Sequence, residues 1–275
     1  MATMIIKASG LMEEFDRRKL VDSLIRSGAS EEAALDIAQK VETQIAPSTH
    51  TRHIFKLAKR LLRQYNHASG MRYSIKKAIA DLGPSGYPFE KYFGRILKDY
   101  GYSVEMNRII EGWCVTHEVD VFAGKGDERF VIECKYHSNG GKPADVKVAL
   151  YVHSRFMDIR KAFESNGDRV DQGWLVTNTR CTSDAIKYAE CVGLKIVSWK
   201  YPHEAGLEKM IEAKRLYPIT VLSSVKRNSL ENLFYNDIIL VQDIAGMDES
   251  VFIKRSGLDA HNVRALKKQA DALCG

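Results

Sequence analysis

The stretch EVDVFAGKGDERFVIECKYH, residues 118–137, alternates polar and apolar residues on both sides of a glycine-containing turn. Side chains of a strand alternate between its faces, so Val131, Glu133 and Lys135 share one face while Ile132 and Cys134 turn away. Gly124, Gly126 and Asp127 supply a tight turn, which returns the second run against the first and brings Asp120 beside Glu133. The hairpin converges two carboxylates and one ammonium where the core of a strand is ordinarily apolar.

An isolated Glu-x-Lys on a strand is ordinarily a solvated cross-strand salt bridge. A second nearby carboxylate changes the chemistry. Two carboxylates a few ångströms apart repel, and a hard divalent cation such as Mg2+ relieves that repulsion while leaving positions open for water and a phosphate oxygen. A bound cation lowers the pKa of its water, and a neighbouring ammonium orients a nucleophile or stabilises developing charge. Phosphodiester hydrolysis fits these parts.

The flanks extend the pattern. Upstream, GYPFEKYFGRILKDYGYSVEMN reads as an amphipathic helix with Phe89, Tyr92, Phe93, Ile96, Leu97 and Tyr100 inward, stopped by Gly101 and followed by a strand from near Tyr102. Downstream, GWLVTNTRCTSDAIKYAECVGLKIVSW reads as a buried strand over 173–177, a helix capped near Thr182 or Ser183, and a strand over 195–199, a right-handed β-α-β unit.

Over about residues 85–200 these features resemble the PD-(D/E)xK restriction-endonuclease-like superfamily, and within it the Mrr-like branch. The resemblance implies an α/β fold, a mixed sheet flanked by helices. It implies a Mg2+- or Mn2+-dependent endonuclease acting on DNA, with Asp120 and Glu133 as metal ligands and Lys135 positioning the attacking water. Defence against foreign DNA follows by family analogy alone. Glu90 in the opening helix matches an acidic residue that approaches the metal in relatives; as an ordinary residue it is a first-turn glutamate favoured by the helix dipole. Many Mrr-like members carry glutamine where this chain has Glu133. His137 shares the face of Glu133 and Lys135 if the strand continues, and joins the catalytic candidates. His117 and His153 read as ordinary hydrogen-bonded residues. Arg155, on an expected helix, binds a phosphate or pairs with Asp158.

The N-terminal third reads as a short strand, a Ser-Gly turn, a second short stretch and a helix capped by Asp16, then helices over about 30–44, 51–65 and 71–82. This order resembles the ATP-cone, a nucleotide-binding regulatory domain. The resemblance implies ATP or dATP held by Lys7, Glu14, Asp16 and Lys19, with Thr51 and Lys76 as weaker matches; the usual Lys-Arg pair of the first strand is Lys7-Ala8 here. Without a nucleotide, these residues are a basic helical surface.

After His203 short helical segments follow. Their apolar spacing around Ser256-Gly257 resembles a degenerate helix-hairpin-helix module, which holds a DNA backbone without reading bases; a packing or dimerisation domain accounts for it equally. Three segments are expected: 1–84, 85–203 and 204–275, with Gly83-Pro84-Ser85-Gly86 as the clearest linker.

A chain of 275 residues, 45% hydrophobic, is long enough to bury two or three cores. Its net charge of +6 and pI near 8.9 favour a polyanionic partner. Five cysteines without CxxC spacing indicate neither a disulfide framework nor a zinc site. A cytoplasmic protein without a membrane segment is the expectation, and assembly into a homodimer or higher homo-oligomer is left open. Two alternatives to a DNA nuclease stay open: a non-cleaving, nucleotide-responsive DNA-binding regulator, and an RNA-directed nuclease.

Overall fold

The computed structural model describes residues 3–7, 10–138 and 141–275. Residues 1–78, 219–229 and 241–275 form one compact unit, and 79–218 with 230–240 form the other.

In the first unit, β1 (Met4–Ile6) and β2 (Met12–Glu14) make an antiparallel hairpin. Ala8 and Ser9 of the expected turn lie outside the described residues; Gly10, which follows, has φ of +85°. Then come α1 (Arg17–Arg26), α2 (Glu31–Gln44), β3 (Thr49–His50), α3 (Thr51–Tyr65) and α4 (His67–Arg72). Asp16 caps α1 by accepting the Lys19 amide, and Ser30 caps α2 by accepting that of Ala33. Leu24, Ile37, Ala38, Val41, Ala58 and Leu62 close a dry core between α1, α2 and α3. The two-residue β3 runs parallel to β1, pairing Ile6 with His50.

The single helix expected over 71–82 is two pieces, α4 and α5 (Ile75–Ala80). The break has local causes. The Arg72 Nε donates to the Ser27 carbonyl at 3.0 Å, and Tyr73 stacks on Phe55 with ring centroids 5.1 Å apart. Both side chains are drawn towards neighbouring elements at the point where the helix stops.

The second unit is built on five strands in the order β4-β5-β6-β7-β8. Helix α6 (Tyr87–Asp99) has its apolar stripe fully buried at Phe89, Tyr92, Phe93, Ile96 and Leu97. Gly101, at φ of +82°, turns the chain out of it. Strands β4 (Ser103–Glu111), β5 (Thr116–Lys125) and β6 (Glu128–Lys135) are antiparallel. Gly126 (φ +60°) and Asp127 form the two-residue loop between β5 and β6, so Lys125 pairs with Glu128 and the register runs on to Val121 and Ile132. Helix α7 (Val146–Ser165) then leads to β7 (Gln172–Thr177), α8 (Ser183–Val192) and β8 (Lys195–Val197), with β6, β7 and β8 parallel.

Helix α7 packs Phe156 and Ile159 against Ile110, Val119, Phe122 and Val131, and Ala149 and Val152 against Leu175 and α8. Its depth on the sheet is set by Gly173, where an added Cβ would sit 2.8 Å from the Phe156 Cγ and 3.2 Å from Leu194. Helix α9 (Leu207–Lys214) and α10 (Leu230–Tyr235) complete this unit, and Lys91 on α6 bonds the Phe234 carbonyl at 3.0 Å and Asp237 at 2.8 Å.

Helices α11 (Val241–Ala245), α12 (Glu249–Ser256) and α13 (Ala260–Cys274) belong to the first unit, where α13 packs on α4 and α11. Both boundaries expected from the sequence, near 84 and 204, fall inside the second unit. The chain passes between units more than once, and helical periodicity marks a buried face without naming its partner. At the Ser256-Gly257 turn Gly257 has φ of +66°, and Asp259 caps α13 by accepting the Asn262 amide. Among the described residues no helix is long and apolar enough to cross a membrane.

Gly173→Ala is expected to lower the stability of the protein by about 1–3 kcal/mol, because Phe156 must move with the helix that carries it. Urea unfolding followed by far-UV circular dichroism measures it; an unchanged midpoint would show that α7 tolerates displacement.

Candidate active site

Asp120 lies on β5 and Glu133 and Lys135 on β6, and the register beyond the Val121–Ile132 pair carries Asp120 to Glu133. The ladder is altered at this point. Asp120 Oδ2 accepts the Cys134 amide at 2.7 Å, so a carboxylate takes a backbone donor that a strand carbonyl would otherwise take. Asn107, between the Met106–Val121 and Arg108–Val119 pairs of β4 and β5, has φ of +49°, a left-handed conformation that asparagine tolerates better than most residues. Its Nδ2 reaches Glu90 Oε2 at 3.4 Å and Glu118 Oε1 at 3.5 Å.

Three carboxylates from three elements thus share one electrostatic neighbourhood. Glu90 is pushed up to about 7 by burial and then by the charge of Asp120. Glu133 is likewise pushed up to about 7, by burial first, then Asp120, with Arg155 opposing and Glu90 adding to the rise. Burial also raises Asp120, although the Cys134 amide and Arg155 act against it. Lys135, exposed at the end of β6, lowers the pKa of both Asp120 and Glu133, which puts its ammonium within their field. Cys134 is buried among these charges, and its thiol is raised well above the usual range, which keeps it protonated.

Arg155 is the cation nearest the acids. Its Nη1 bonds Glu133 Oε2 at 2.6 Å, its other terminal nitrogen bonds the Glu118 carbonyl, and it lies 5.5 Å from the Tyr151 ring centroid. The pairing with Asp158 weighed from the sequence does not form. Asp158 instead accepts the amides of Cys114 at 2.8 Å and Val115 at 3.3 Å and pairs with His117 Nε2 at 2.8 Å, which hold its carboxyl at about 2, the His117 bond contributing most. It ties the β4–β5 loop to α7. His153 bonds the Tyr188 hydroxyl at 2.8 Å and joins α7 to α8. Both histidines are hydrogen-bonded, as the sequence reading expected.

Strand β6 ends at Lys135, so the face-sharing expected of His137 is lost; its amide and carbonyl are held by the Asn178 side chain at 2.9 and 2.8 Å. Its Nε2 is buried without a partner among the described residues, and its pKa is lowered by burial first and then by the charges of Lys135 and Lys142.

An open cleft of about 520 Å³ is lined by Glu90, Asn107, Glu118, Asp120, Tyr151 and Arg155 among others. A larger cavity, of about 690 Å³, lies at the β5–β6 turn, away from these carboxylates, and its rim charges are paired with one another, Arg129 with Asp168 at 2.6 Å for example. Glu90 and Asp120 line the smaller cleft, while Glu133 and Lys135 are not among its lining residues. Among the described residues no three His, Cys, Asp or Glu side chains are gathered into a ready-made metal cage. The donor set nevertheless suits a hard divalent ion: carboxylate oxygens, partly buried, with both glutamates raised by burial and by the charge of Asp120. The sequence reading does not single out Asn107 as a neighbour of these acids; it notes Glu118 as flanking Asp120, and it takes Arg155 as a phosphate ligand or a partner of Asp158, not of Glu133. Only a polar residue inside the β-patterned run 103–111 could have marked Asn107.

In the first unit, Lys7 pairs with Glu13 at 2.5 Å, Glu14 ends β2 opposite Met4, and Asp16 is engaged by the Lys19 amide at 3.0 Å and its ammonium at 3.4 Å. The parallel Ile6–His50 pair carries Lys7 towards Thr51, the first residue of α3, whose start has no side-chain cap. Lys76 is exposed on α5.

Comparison with known proteins agrees with this architecture. Residues 83–201 match the Mrr catalytic family, described as restriction endonuclease, and residues 217–274 match the AF1548-like C-terminal family. An uncharacterized protein of Archaeoglobus fulgidus is 35% identical over 181 residues, which span 66% of this chain and 99% of that protein. The crystal structure of AF1548, a protein of unknown function, superimposes with a TM-score of 0.60 at 33% identity, covering 68% of this chain and 97% of its own. The two family matches, together with relatives a third identical and covered almost throughout, make this chain a member of the AF1548-like family with an Mrr-type restriction-endonuclease domain.

Proposed function

We propose that the protein is a divalent-metal-dependent endonuclease that hydrolyses DNA phosphodiester bonds at the cluster of Asp120, Glu133 and Lys135. The observation that carries this reading is the gathering of Glu90, Asp120 and Glu133 beside Arg155 and Lys135 in a nuclease-family domain, with both glutamates raised to about 7 by burial first and then by Asp120. Buried acids that repel one another lose stability on ionising unless a cation joins them. Asp120 and Glu133 would hold the ion, with Glu90 beside them. A bound Mg2+ or Mn2+ would supply Lewis-acid polarisation of a phosphate oxygen and a water of lowered pKa. Lys135 orients the attacking water through its ammonium and offsets charge that develops on the phosphate. Arg155 fixes the Glu133 carboxylate in one orientation through its 2.6 Å bond while its second nitrogen is anchored on the Glu118 carbonyl. We assign it a positioning role. The Cys134 thiol, on the other face of β6, is held protonated by burial.

The same reading includes regulation by ATP or dATP bound in the first unit. Lys7, brought towards Thr51 by the β1–β3 pairing, stands near helix-start amides that no side chain caps, an arrangement suited to phosphate oxygens. Glu14, Asp16, Lys19 and Lys76 remain candidates for the rest of such a site, and Asp16 also caps α1. His137, beyond the end of β6, is the weakest catalytic candidate.

Incubating wild type and the Asp120→Ala, Glu133→Ala and Lys135→Ala variants with plasmid and linear DNA, in Mg2+ or chelator and with or without ATP or dATP, tests the proposal. Cutting that requires the metal and falls at least about a hundredfold in each variant is expected. Retention of DNA with no cutting by the wild type would favour the non-cleaving regulator, and cutting of RNA alone would favour the RNA-directed enzyme. Full activity in an Asp120→Ala, Glu133→Ala double variant would remove the site.

The acids also set a pH dependence of stability. Glu133 has its folded pKa raised from 4.5 to about 7, so the favourable contribution of its protonated form is complete below about 4.5 and is lost as pH rises through 7. In chelator, Glu133→Gln should therefore gain roughly 2 kcal/mol relative to wild type between about pH 5 and pH 8. Urea titrations at both pH values measure it, and a constant difference would show that Glu133 is ionised in both. Arg155→Lys and Arg155→Ala should each slow cleavage about tenfold or more while raising the metal concentration needed for half-maximal rate, since Glu133 loses its orientation. A loss of rate with the metal dependence unmoved would assign Arg155 to another task.

A further inference from the structure

The positive charge of the chain is concentrated in one place. Between Glu42 and Asp81 there is no acidic residue and there are eight lysines and arginines, against a net charge of +6 for the whole chain, so the remainder is net acidic. Five of the eight lie on α3, and Arg52, Lys56, Arg60 and Arg63 are exposed at spacings of four, four and three residues. That spacing keeps them on one side of the helix, with about 6 Å of rise between successive members at a four-residue step. The opposite side, Ile54, Ala58 and Leu62, is sealed in the core, which fixes which face is presented to solvent.

A merely solvated helix face mixes signs, as α2 does where Asp36 pairs with Lys40 at 2.7 Å. Helix α3 instead sets like charges at i and i+4, with Arg52 before Lys56 and Lys56 before Arg60. Such pairs weaken a helix, and an external polyanion would relieve them. His67, just beyond the helix, has its pKa lowered by burial and then by Arg63 and Lys59, an independent sign of the field. The basic positions of the C-terminal helices are different. There Arg264 pairs with Glu249 at 3.4 Å, and Lys267 donates to the Ile244 carbonyl at 3.2 Å.

We infer that the exposed basic face of α3 is a DNA-backbone contact surface, holding duplex DNA through its phosphates and without reading bases. The choice of DNA as the polyanion rests on the nuclease reading above, but the surface acts in binding and takes no part in cleavage. Free nucleotide offers the same phosphate chemistry at the head of α3, and the two ligands separate in the test.

Duplex DNA binding is measured by fluorescence anisotropy over a series of salt concentrations, in chelator and in the Glu133→Gln background, so that loss of cleavage cannot be mistaken for loss of binding. Lys56→Gln, Arg60→Gln and Arg63→Gln are introduced together, since glutamine keeps the aliphatic stems and the helix propensity, and circular dichroism checks the fold. Each phosphate contact contributes about 0.9 to the slope of log affinity against log salt, so the triple variant should lose about two to three from that slope and at least tenfold in affinity at low salt. Lys254→Gln with Lys268→Gln, on the C-terminal helices, should leave both nearly unchanged. An unchanged slope in the α3 variant, loss confined to the C-terminal pair, or absence of salt-dependent binding before mutation would overturn the inference. So would an α3 variant that keeps its DNA affinity and loses only that for ATP.

Discussion

Glu90, Asp120 and Glu133 repel one another in a partly buried cluster, and the second unit is arranged around that repulsion. Each acid comes from a different element, so the cluster exists only when α6, β5 and β6 are in place. The protein offsets part of it internally: Asp120 takes the Cys134 amide, Glu133 takes the Arg155 guanidinium, and Asn107 reaches Glu90. What is left shows as two glutamates elevated to about 7. A fold that gained nothing from the cluster would be more stable with apolar residues at these positions.

The sheet explains why the cluster is open on one side. Its antiparallel half brings Asp120 to Glu133 through a two-residue loop, and its parallel half places α7 over the same face, with Phe156 seated on Gly173 and Arg155 one residue away. Helix α7 therefore does two things at once. Its apolar side closes the core, and its polar side delivers Arg155 to Glu133 and Asp158 to the β4–β5 loop. The cleft remains between that loop, α6 and α7.

Much of this could be read from residue patterns because it is local. Alternation over 118–135 and the Gly126-Asp127 turn fix the hairpin and hence the Asp120–Glu133 approach; Asp16, Ser30 and Thr182 announce helix starts through their side-chain oxygens. What was out of reach is tertiary. A two-residue strand such as β3 has no period to detect, and the split between α4 and α5 follows from where Arg72 and Tyr73 find partners. Arg155 belongs to Glu133 because α7 brings it there, and the strand alternation that would have put His137 on the face of Glu133 stops two residues earlier, at Lys135. The return of α11, α12 and α13 to the first unit is likewise a matter of which apolar faces meet.

The account stands or falls on whether the crowded carboxylates take up a divalent ion. Titration of Mn2+ into chelator-treated protein near pH 6.5, followed by electron paramagnetic resonance with a parallel count of protons released, addresses this without reference to cleavage. Saturable binding with release of at least about one proton per ion, abolished by Asp120→Asn with Glu133→Gln, is the predicted result, because glutamates elevated to about 7 must give up protons to bind metal. Manganese that stays free, or binds without proton release and equally well to the variant, would contradict it.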